Sequence, residues 1–462
     1  MMEKVKVGFL PLYLALYDER AAAARANIEK YRDNLVAALE STGIELVKAD
    51  ICRIAPEFKD AVAAFERENV DAIVTVHLAY SPSLECIDTL AATKLPIIIL
   101  DTTRDYSFGF DVVAGGVMPN HGIHGVQDMC NLLRRRGKEY SLFAGHFEES
   151  NVLSRVADAA RAVKAAKCLD GMKVGQVGGS FAGMGDFLAG EGAMARLGVK
   201  TVVCDGDELA ALRDSVTEAE IRVEYEKDCA ENGADAFTFE QYAYAERVGL
   251  AIRKWIENNG LSAFTMTFLS AGKVGGFDTM PFSESSKAMA RGIGYAGEGD
   301  VLTAALVGAL SKTFPKVNFT EMFCPDWKGD ALYMSHMGES NLALLENRKT
   351  VIKPFPYADG PDPTCILGHM VAGKACVFNL LPNAEGWFDV VICEGEMLQL
   401  PAAIENLPTS MNGWFKPKGA LADFLEKYSE LGGTHHSALV YDVDAKSLAL
   451  FAKTLGMKYT IL

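Results

Sequence analysis

The N-terminal third of the chain alternates apolar runs with helical patterns. The apolar runs, in chain order, are "KVKVGFLPL", "IELVKAD", "DAIVTVHLA" and "LPIIILD". Helical patterns separate them, one ending near residue 42 and another covering "EFKDAVAAFEREN". Strands that are apolar along their length and joined by helices are typical of a parallel sheet covered on both faces. The pattern therefore predicts a doubly wound α/β domain.

The alternation restarts in the middle of the chain and then gives way to another pattern. After a helical stretch that ends at Gly171, strands are predicted at "MKVGQVGG", "VKTVVCDGDEL" and "AFTMTFLS". Beyond about residue 312 the strands are shorter, with Pro and Gly between them, as in "VNFTEMF", "CVFNLL" and "HHSALVYD". We predict two consecutive doubly wound, Rossmann-like domains over residues 1–169 and 170–312, followed by a mostly β, barrel-like domain over 313–462.

Charge and cysteine usage narrow the possible partners. The net charge of −16 disfavours nucleic acid and anionic membrane surfaces. No run approaches 18 uninterrupted apolar residues, so no membrane-spanning helix is predicted. The ten cysteines contain no C-x-x-C pair and several lie in apolar runs, which predicts reduced thiols in a cytoplasmic protein.

Two polar residues in the C-terminal third fall on faces that should be apolar. If "VNFTEMF" is a strand, Glu321 shares its face with Phe319 and Phe323, and if "ALYMSHM" is a strand, His336 shares its face with leucine and methionine. A buried carboxylate or imidazole is costly unless it is paired, hydrogen-bonded or bound to a metal. One interpretation pairs Glu321 with a basic side chain and His336 with a carbonyl. The other is that both bind one metal ion.

A histidine pair adds to the second interpretation. His435 and His436 open a predicted strand after a Gly-Gly turn. Neighbours on a strand point to opposite faces, so only one of the two is expected at a given site. Strand periodicity does not choose between them.

An acidic turn, "GYAGEGDVLTAAL", supplies another carboxylate. Asp300 fits as the N-cap of the following helix, which leaves Glu298 free to project from a glycine-flanked turn. Two glutamates and two histidines without thiolates suit Mn²⁺ or a similar divalent ion. Paired carboxylates beside such a metal suit proton transfer next to a carbonyl group.

Two hypotheses from other classes stay open on these patterns. The stretch "KVGQVGGSFAGMGDF", with Asp205 further on, resembles a dinucleotide-binding turn and would indicate an NAD-dependent oxidoreductase, although the spacing is not G-x-G-x-x-G. An ordinary tight turn or a sugar-contacting loop explains the glycines better. Two doubly wound domains in series are also found in sugar-binding proteins, so the chain could be a module that binds a sugar without converting it.

Several of these segments resemble one family in order and approximate spacing. "AFTMTFLSAGKVGGFDTMPFSESSKAMARGIGYAGEGDVLTAAL", "FTEMFCPDW", "SHMGE" and "GGTHHSALV" resemble the metal-site segments of the L-arabinose isomerases and the wider L-arabinose/L-fucose isomerase group. "NHGIHGVQDMCNLLRRRGKEYSLFAGHFEE" resembles the segment of that family that precedes its second domain.

The resemblance implies a Mn²⁺-dependent aldose–ketose isomerase that converts a small-molecule sugar through a cis-enediol. By motif, Glu298 and Glu321 correspond to metal ligands that also form the acid/base pair. His336 and His436 correspond to the remaining ligands. His124, in "GIHG", resembles a family histidine that reaches the substrate in a neighbouring subunit, because these enzymes form trimers or hexamers with shared sites.

The sugar-facing segments depart from the L-arabinose pattern. Val301 stands where the family typically has a Trp, "FLSA" replaces Phe-Glu-Asp-Leu, and "MFCPDW" replaces an acidic, aromatic stretch. The first strand ends in "PLYLALYD" and lacks the usual Gln-containing turn. The metal-site motifs are intact while these segments differ, so the sequence predicts the reaction class and leaves the sugar open.

Overall fold

The computed structural model describes residues 2–112, 115–234, 237–401 and 410–462. Its chain forms two compact units. The N-terminal unit comprises Glu3–Lys164 and Lys446–Leu455, and the main unit comprises Ala165–Ala445 and Gly456–Leu462. Each unit is described by itself below.

The N-terminal unit contains a five-stranded parallel sheet in the order β2-β1-β3-β4-β5, which is a doubly wound order. Its strands are β1 (Lys6–Leu12), β2 (Glu45–Lys48), β3 (Ala72–His77), β4 (Ile97–Asp101) and β5 (Tyr140–Ala144). The helices that start in this unit are α1 (Ala15–Arg20), α2 (Arg25–Glu40), α3 (Ala55–Arg67), α4 (Ile87–Ala92), α5 (Ile123–Arg135) and α6 (Val152–Lys167).

The central strands of this sheet are buried along their length, as their sequences predict. Every residue of β3 is buried. One face of the sheet packs on Phe58 of α3, Leu90 of α4 and Met129 of α5, all without exposed surface. The predicted N-terminal α/β fold is therefore confirmed.

The main unit begins with a four-stranded parallel sheet in the order β7-β6-β8-β9. Its strands are β6 (Lys173–Val177), β7 (Lys200–Val203), β8 (Ala263–Met266) and β9 (Gly294–Ala296). Its helices are α7 (Glu191–Leu197), α8 (Gly206–Asp214), α9 (Glu218–Asn232), α10 (Phe239–Asn259), α11 (Phe282–Ala290) and α12 (Val301–Ser311). Capping boxes led by Thr217 and Thr238 fix where α9 and α10 begin. The second parallel α/β unit is thus confirmed.

The rest of the main unit, as far as the structure describes it, is mostly a β sheet in which some of the strands close into a barrel. Its strands are β10 (Val317–Asp326), β11 (Ala331–Ser335), β12 (Leu345–Ile352), β13 (Thr364–Met370), β14 (Gly373–Pro382), β15 (Phe388–Met397), β16 (Met411–Pro417), β17 (His436–Tyr441) and β18 (Tyr459–Ile461). The order β16-β11-β10-β17-β14-β15 is closed by pairing of β15 with β16. Helix α13 (Leu421–Glu430) precedes β17 in the chain, and α14 (Ala445–Thr454), which follows β17, belongs to the N-terminal unit from Lys446 onward. The barrel-like prediction is confirmed.

Two compositional predictions can be compared with the structure. Within the described residues, no helix is both long and apolar enough to cross a bilayer. All ten cysteines lie in that part of the chain, and none of them is in a disulfide bond.

Candidate metal centre

Glu298 occupies the turn between β9 and α12, at the carboxyl edge of the central sheet. Its φ of +61° lies in the left-handed region, which costs a non-glycine residue free energy. The turn is held by hydrogen bonds: Phe181 N–H donates to the carbonyl of Glu298 at 2.8 Å, and Gly299 N–H donates to the carbonyl of Met266 at 3.1 Å. The surrounding structure thus fixes the strained residue, and its side chain is buried.

The two glycines beside Glu298 are required by space. A Cβ at Gly297 would lie 2.3 Å from the ring of His336. A Cβ at Gly299, whose φ is +78°, would lie 2.1 Å from the carbonyl oxygen of Gly179. The glycine-rich turn therefore lets the backbone approach both the imidazole and the neighbouring loop.

Asp300 is the N-cap of α12, as predicted, and it also contacts the site. One carboxylate oxygen accepts the N–H of Thr303 at 2.8 Å, and the other lies 3.0 Å from Nδ1 of His436. The capping role was expected from the sequence, whereas the histidine contact was not.

Three neighbouring barrel strands bring the other candidate ligands to the same place. In the antiparallel register, Glu321 of β10 pairs with His436 of β17 on one side and with Ser335 of β11 on the other. His336 follows Ser335 directly. The segment "CPDWKGD" ends β10 and turns the chain into β11, so that these two strands lie side by side. Glu298, Glu321, His336 and His436 therefore come together at one site in the main unit.

Two details of the predicted strands are wrong. His336 was expected inside a strand, but β11 ends at Ser335 and the histidine begins the next turn. Phe323 was expected on the buried face with Glu321, but a bulge between Met322 and Cys324 interrupts the alternation and Phe323 is 42% exposed.

The expectation that only one residue of the His-His pair faces the site is also wrong. The strand β17 starts at His436, so His435 precedes it and is not subject to strand alternation. The two ring centroids lie 4.1 Å apart. Both histidines consequently face Glu298.

Each of the three imidazoles is held by a carboxylate at Nδ1. Because an ionised carboxylate only accepts hydrogen bonds, each Nδ1 carries a proton and donates it. The pairs are His336 with Glu339 at 2.8 Å, His436 with Asp300 at 3.0 Å and His435 with Asp186 at 2.7 Å. This arrangement leaves Nε2 as the free nitrogen of each ring.

The three Nε2 atoms are buried and have no hydrogen-bond partner among the described residues. Nε2 of His435 and of His436 lie 3.6 Å and 3.5 Å from Glu298 Oε2. Nε2 of His336 lies 3.9 Å from Glu321 Oε2. The donor atoms form two triads that share His436: one with Glu298 and His435, the other with Glu321 and His336, each within 4.8 Å.

These unpaired atoms fit a divalent cation. A buried polar atom without a partner is destabilising, and a cation bound beside the carboxylates would give such a nitrogen a partner. Imidazole rings whose other nitrogen donates to a carboxylate are the usual form of metal-binding histidine. Nitrogen and carboxylate donors without thiolate suit Mn²⁺ and similar ions.

The two glutamates have shifted pKa values of opposite sign. Burial alone would raise the pKa of Glu298, but His435 and the charges of His336 and His436 outweigh burial and lower it. Burial raises the pKa of Glu321, and the same histidines only partly offset this. The centre therefore contains one carboxyl group that favours the ionised form more than the other.

Two of the imidazoles, those of His435 and His336, have a raised pKa. Burial would lower the pKa of His435, but its hydrogen bond to Asp186 and the nearby carboxylate of Glu298 raise it to about 10. Burial would raise the pKa of Asp186, and the bond from His435 lowers it to about 2. Burial would also lower the pKa of His336, but the charge of Glu339 and its hydrogen bond raise it.

The glycine-rich stretch that suggested dinucleotide binding supports the Glu298 turn. Gln176 and Ser180 both donate side-chain hydrogen bonds to the carbonyl of Gly299, each at 3.1 Å. Asp205, the acid that follows this stretch, caps α8 by accepting the N–H groups of Asp207 and Glu208. These polar groups are engaged within the protein, which disfavours the NAD hypothesis.

Aromatic rings enclose the imidazoles. Phe187 stacks on His436 with centroids 5.5 Å apart and planes 9° apart. Phe319 packs edge-on against His336 and His436 at 4.9 Å and 5.1 Å. In the altered "MFCPDW" segment, Trp327 is 66% exposed.

His124 lies in the N-terminal unit, in the first turn of α5, and its side chain is exposed. Its ring contacts Tyr80 and His121, with centroids 6.3 Å and 5.6 Å away. His121 in turn lies 3.0 Å from the hydroxyl of Tyr17. His124 is thus part of an aromatic and polar surface group of that unit.

Sequence reasoning did not identify the residues that orient the imidazoles. Asp186 and Glu339 carry no periodicity signal, because each lies in a turn. Glu339 follows His336 by three residues in "SHMGE", and Asp186 ends the glycine-rich stretch "GMGD". The short spacing between His336 and Glu339 hints at a contact. Asp186 and His435 are 249 residues apart, so the sequence gives no hint that they meet.

The fold and this centre define a class of protein: an α/β chain with a closed barrel, in which barrel strands and the turns beside them bring histidines and glutamates together. Comparison with family models is consistent with that class. Residues 190–314 match the L-arabinose isomerase central domain and residues 316–458 match the L-arabinose isomerase C-terminal domain, together more than half of the chain. The chain belongs to a family of enzymes, the L-arabinose isomerases.

Individual relatives are similar over most of their length. The L-arabinose isomerase of Shouchella clausii is 25% identical, with 98% of this chain and 93% of the relative covered. That of Nocardioides sp. is 25% identical over 85% of this chain and 80% of its own, and L-arabinose isomerase 1 of Bacillus licheniformis is 26% identical over 86% and 82%. The solved structure of the periplasmic binding protein of an arabinose ABC transporter from Shewanella sp. ANA-3 aligns at a TM-score of 0.17 and 13% identity, over 66% of this chain and 84% of its own. This similarity is too low to support any conclusion about the fold or the function.

Proposed function

We propose that this chain is a metal-dependent aldose–ketose sugar isomerase that works through a cis-enediol. The observation that carries the proposal is the set of buried imidazoles whose Nε2 atoms have no partner and face two glutamates. Family membership supports the reaction class. The altered sugar-facing segments are the reason that L-arabinose is not assigned as the substrate.

Four side chains are proposed to hold the cation: Glu298, Glu321, His336 and His436. A bound divalent ion, Mn²⁺ in this proposal, would polarise the carbonyl group of the sugar and stabilise negative charge on its oxygens. The orienting carboxylates Asp300 and Glu339 keep the imidazoles in the tautomer with a free Nε2.

Glu298 and Glu321 are proposed to transfer the protons. One carboxylate removes the proton from C2 of the aldose while O1 gains a proton, and this gives the cis-enediol. Loss of the O2 proton and return of a proton to C1 then gives the ketose. Glu298 lies near His436 and Glu321 lies near His336. The two carboxylates therefore border the same centre from different sides, which suits transfer of a proton between neighbouring carbons.

His124 is proposed to contact the sugar in the site of a neighbouring subunit, in a homotrimer or homohexamer. Its exposure, and the Tyr80 and His121 rings beside it, provide aromatic and hydrogen-bonding groups that suit a sugar. The absence of disulfide bonds among the ten cysteines supports the proposal of a reducing, cytoplasmic location.

The direct test is conversion of aldoses to ketoses by metal-stripped protein, with and without added Mn²⁺. The panel contains pentoses, hexoses and 6-substituted sugars. We expect conversion only with the metal, and the preferred sugar would identify the substrate. Sugar binding without conversion, or turnover that changes NADH absorbance, would favour the binding-module or oxidoreductase hypothesis instead.

A further inference from the structure

His435 has the same structural features as the two imidazoles assigned above. Its Nδ1 donates to a carboxylate, its Nε2 is buried without a partner, and that Nε2 faces a site glutamate. The sequence motif assigned only His436 from the pair. The structure therefore contains one more imidazole than the motif explains.

Asp186 is joined to His435 by two hydrogen bonds. Asp186 Oδ2 accepts the backbone N–H of His435 at 2.9 Å and its Nδ1–H at 2.7 Å. The next residue, Phe187, stacks on His436. The segment that carries Asp186 is thus packed against both histidines, and it sets the orientation of the His435 ring.

An ordinary ion pair on the surface does not explain this arrangement. A carboxylate that only neutralised an exposed histidine would leave Nε2 in water, where it needs no partner. Nε2 of His435 is instead buried, and it lies within 4.8 Å of the donor atoms of Glu298 and His436. That distance is suited to ligands of one ion.

We propose that His435 is a third imidazole donor of the cation site and that Asp186 is the residue that positions it. This inference rests on the proposed cation dependence of the enzyme. The site then offers two carboxylates and three imidazoles, with His435 on the side of Glu298 and His336 on the side of Glu321.

The test uses the full-length, metal-stripped protein and Mn²⁺ alone, so that no sugar or turnover is needed. Pulsed electron paramagnetic resonance of the bound Mn²⁺ counts the coordinated imidazole nitrogens, and Mn²⁺ titration gives the affinity. The variants are His435→Gln, Asp186→Asn and the two combined. Asp423→Asn, an exposed position in the first turn of α13, is the matched control.

We expect three coordinated imidazoles in the unsubstituted protein and two after His435→Gln. Each single substitution should weaken Mn²⁺ binding about tenfold. His435→Gln removes a proposed ligand, and Asp186→Asn removes the partner that orients it, which has an effect of about this size at other metal sites. If Asp186 acts only through His435, the double variant should bind no more weakly than His435→Gln. The control should bind normally.

Two coordinated imidazoles in the unsubstituted protein, or an unchanged affinity in both single variants, would overturn this inference and leave the four-residue cation site intact. A further loss on adding Asp186→Asn to His435→Gln would overturn the positioning role. Absence of Mn²⁺ binding by the unsubstituted protein would instead reject the proposed function. The imidazole count needs no variant, so a variant that fails to fold does not prevent the test.

Discussion

His436 and Asp300 are joined by a hydrogen bond of 3.0 Å between Nδ1 and Oδ2, although 136 positions of sequence separate them. The other oxygen of Asp300 caps α12 through Thr303. One carboxylate therefore fixes both the start of the helix that follows Glu298 and the ring orientation of a candidate ligand. The two roles can be separated by substitution.

Asp300→Asn should retain the helix cap but alter the imidazole. The amide oxygen still accepts from Thr303, whereas the amide nitrogen that then faces His436 donates and disfavours a proton on Nδ1. We expect Mn²⁺ affinity to fall about 10- to 100-fold with little change in the free energy of unfolding. Asp300→Ala should lose the cap as well, at a cost of about 1 kcal/mol in unfolding free energy. Equal Mn²⁺ binding by Asp300→Asn and the unsubstituted protein would refute the orienting role.

Glu298→Gln and Glu321→Gln should each abolish turnover and leave the fold intact. The substituted side chain keeps its size but has no proton to transfer at neutral pH and is a weaker cation ligand. Sugar conversion is measured with Mn²⁺ in excess, and circular dichroism and thermal unfolding confirm the fold. Glu426→Gln, exposed on α13, is the control. Near-normal conversion by either site variant would reject the assigned role.

His436→Ala should lose the cation more completely than His435→Ala. His436 has no exposed surface and belongs to both donor triads, whereas His435 belongs to one and its side chain is 28% exposed. The measurement is metal content after dialysis of each purified variant. The reverse order would show that His435, and not His436, is the main imidazole ligand.

The positions of Glu298 and Glu321 follow from sequence patterns, while the surroundings of the histidines do not. A carboxylate left over beside a helix cap, and another on an apolar strand face, are both visible along the chain. The position of His435 depends on where β17 begins, and a shift of one residue decides whether alternation applies. Its contact with Asp186 is a meeting of distant turns, which local periodicity cannot encode.

His77 should make the N-terminal unit less stable in mild acid. Burial lowers the pKa of its ring from 6.5 to about 3. The unfolded chain therefore takes up a proton at a higher pH than the folded chain, so the stability from a neutral His77 is full above pH 6.5 and is lost as the pH falls toward 3. Between pH 7 and pH 5 the loss is about 2 kcal/mol.

The measurement for His77 is the free energy of unfolding in denaturant at several pH values between 5 and 7. The comparison is with His77→Leu, which has no ring to protonate and keeps a similar volume in this buried position. We expect the variant to depend less on pH over that range. Parallel pH dependences for the two proteins would mean that the His77 ring is protonated in the folded state.

His124→Ala and Glu321→Gln should complement each other if sites are shared between subunits. Each variant alone is expected to be inactive, because one lacks the sugar contact and the other a proton carrier. In mixed assemblies, some sites combine an intact Glu321 from one subunit with an intact His124 from its neighbour. Once unmixed assemblies are removed, random mixing leaves about a third of the sites complete in a trimer and about a quarter in a hexamer. Coexpression under two affinity tags, purification through both, and assay with Mn²⁺ should recover about that share of activity. Recovery of none, in assemblies shown by mass to contain both variants, would place His124 outside a shared site.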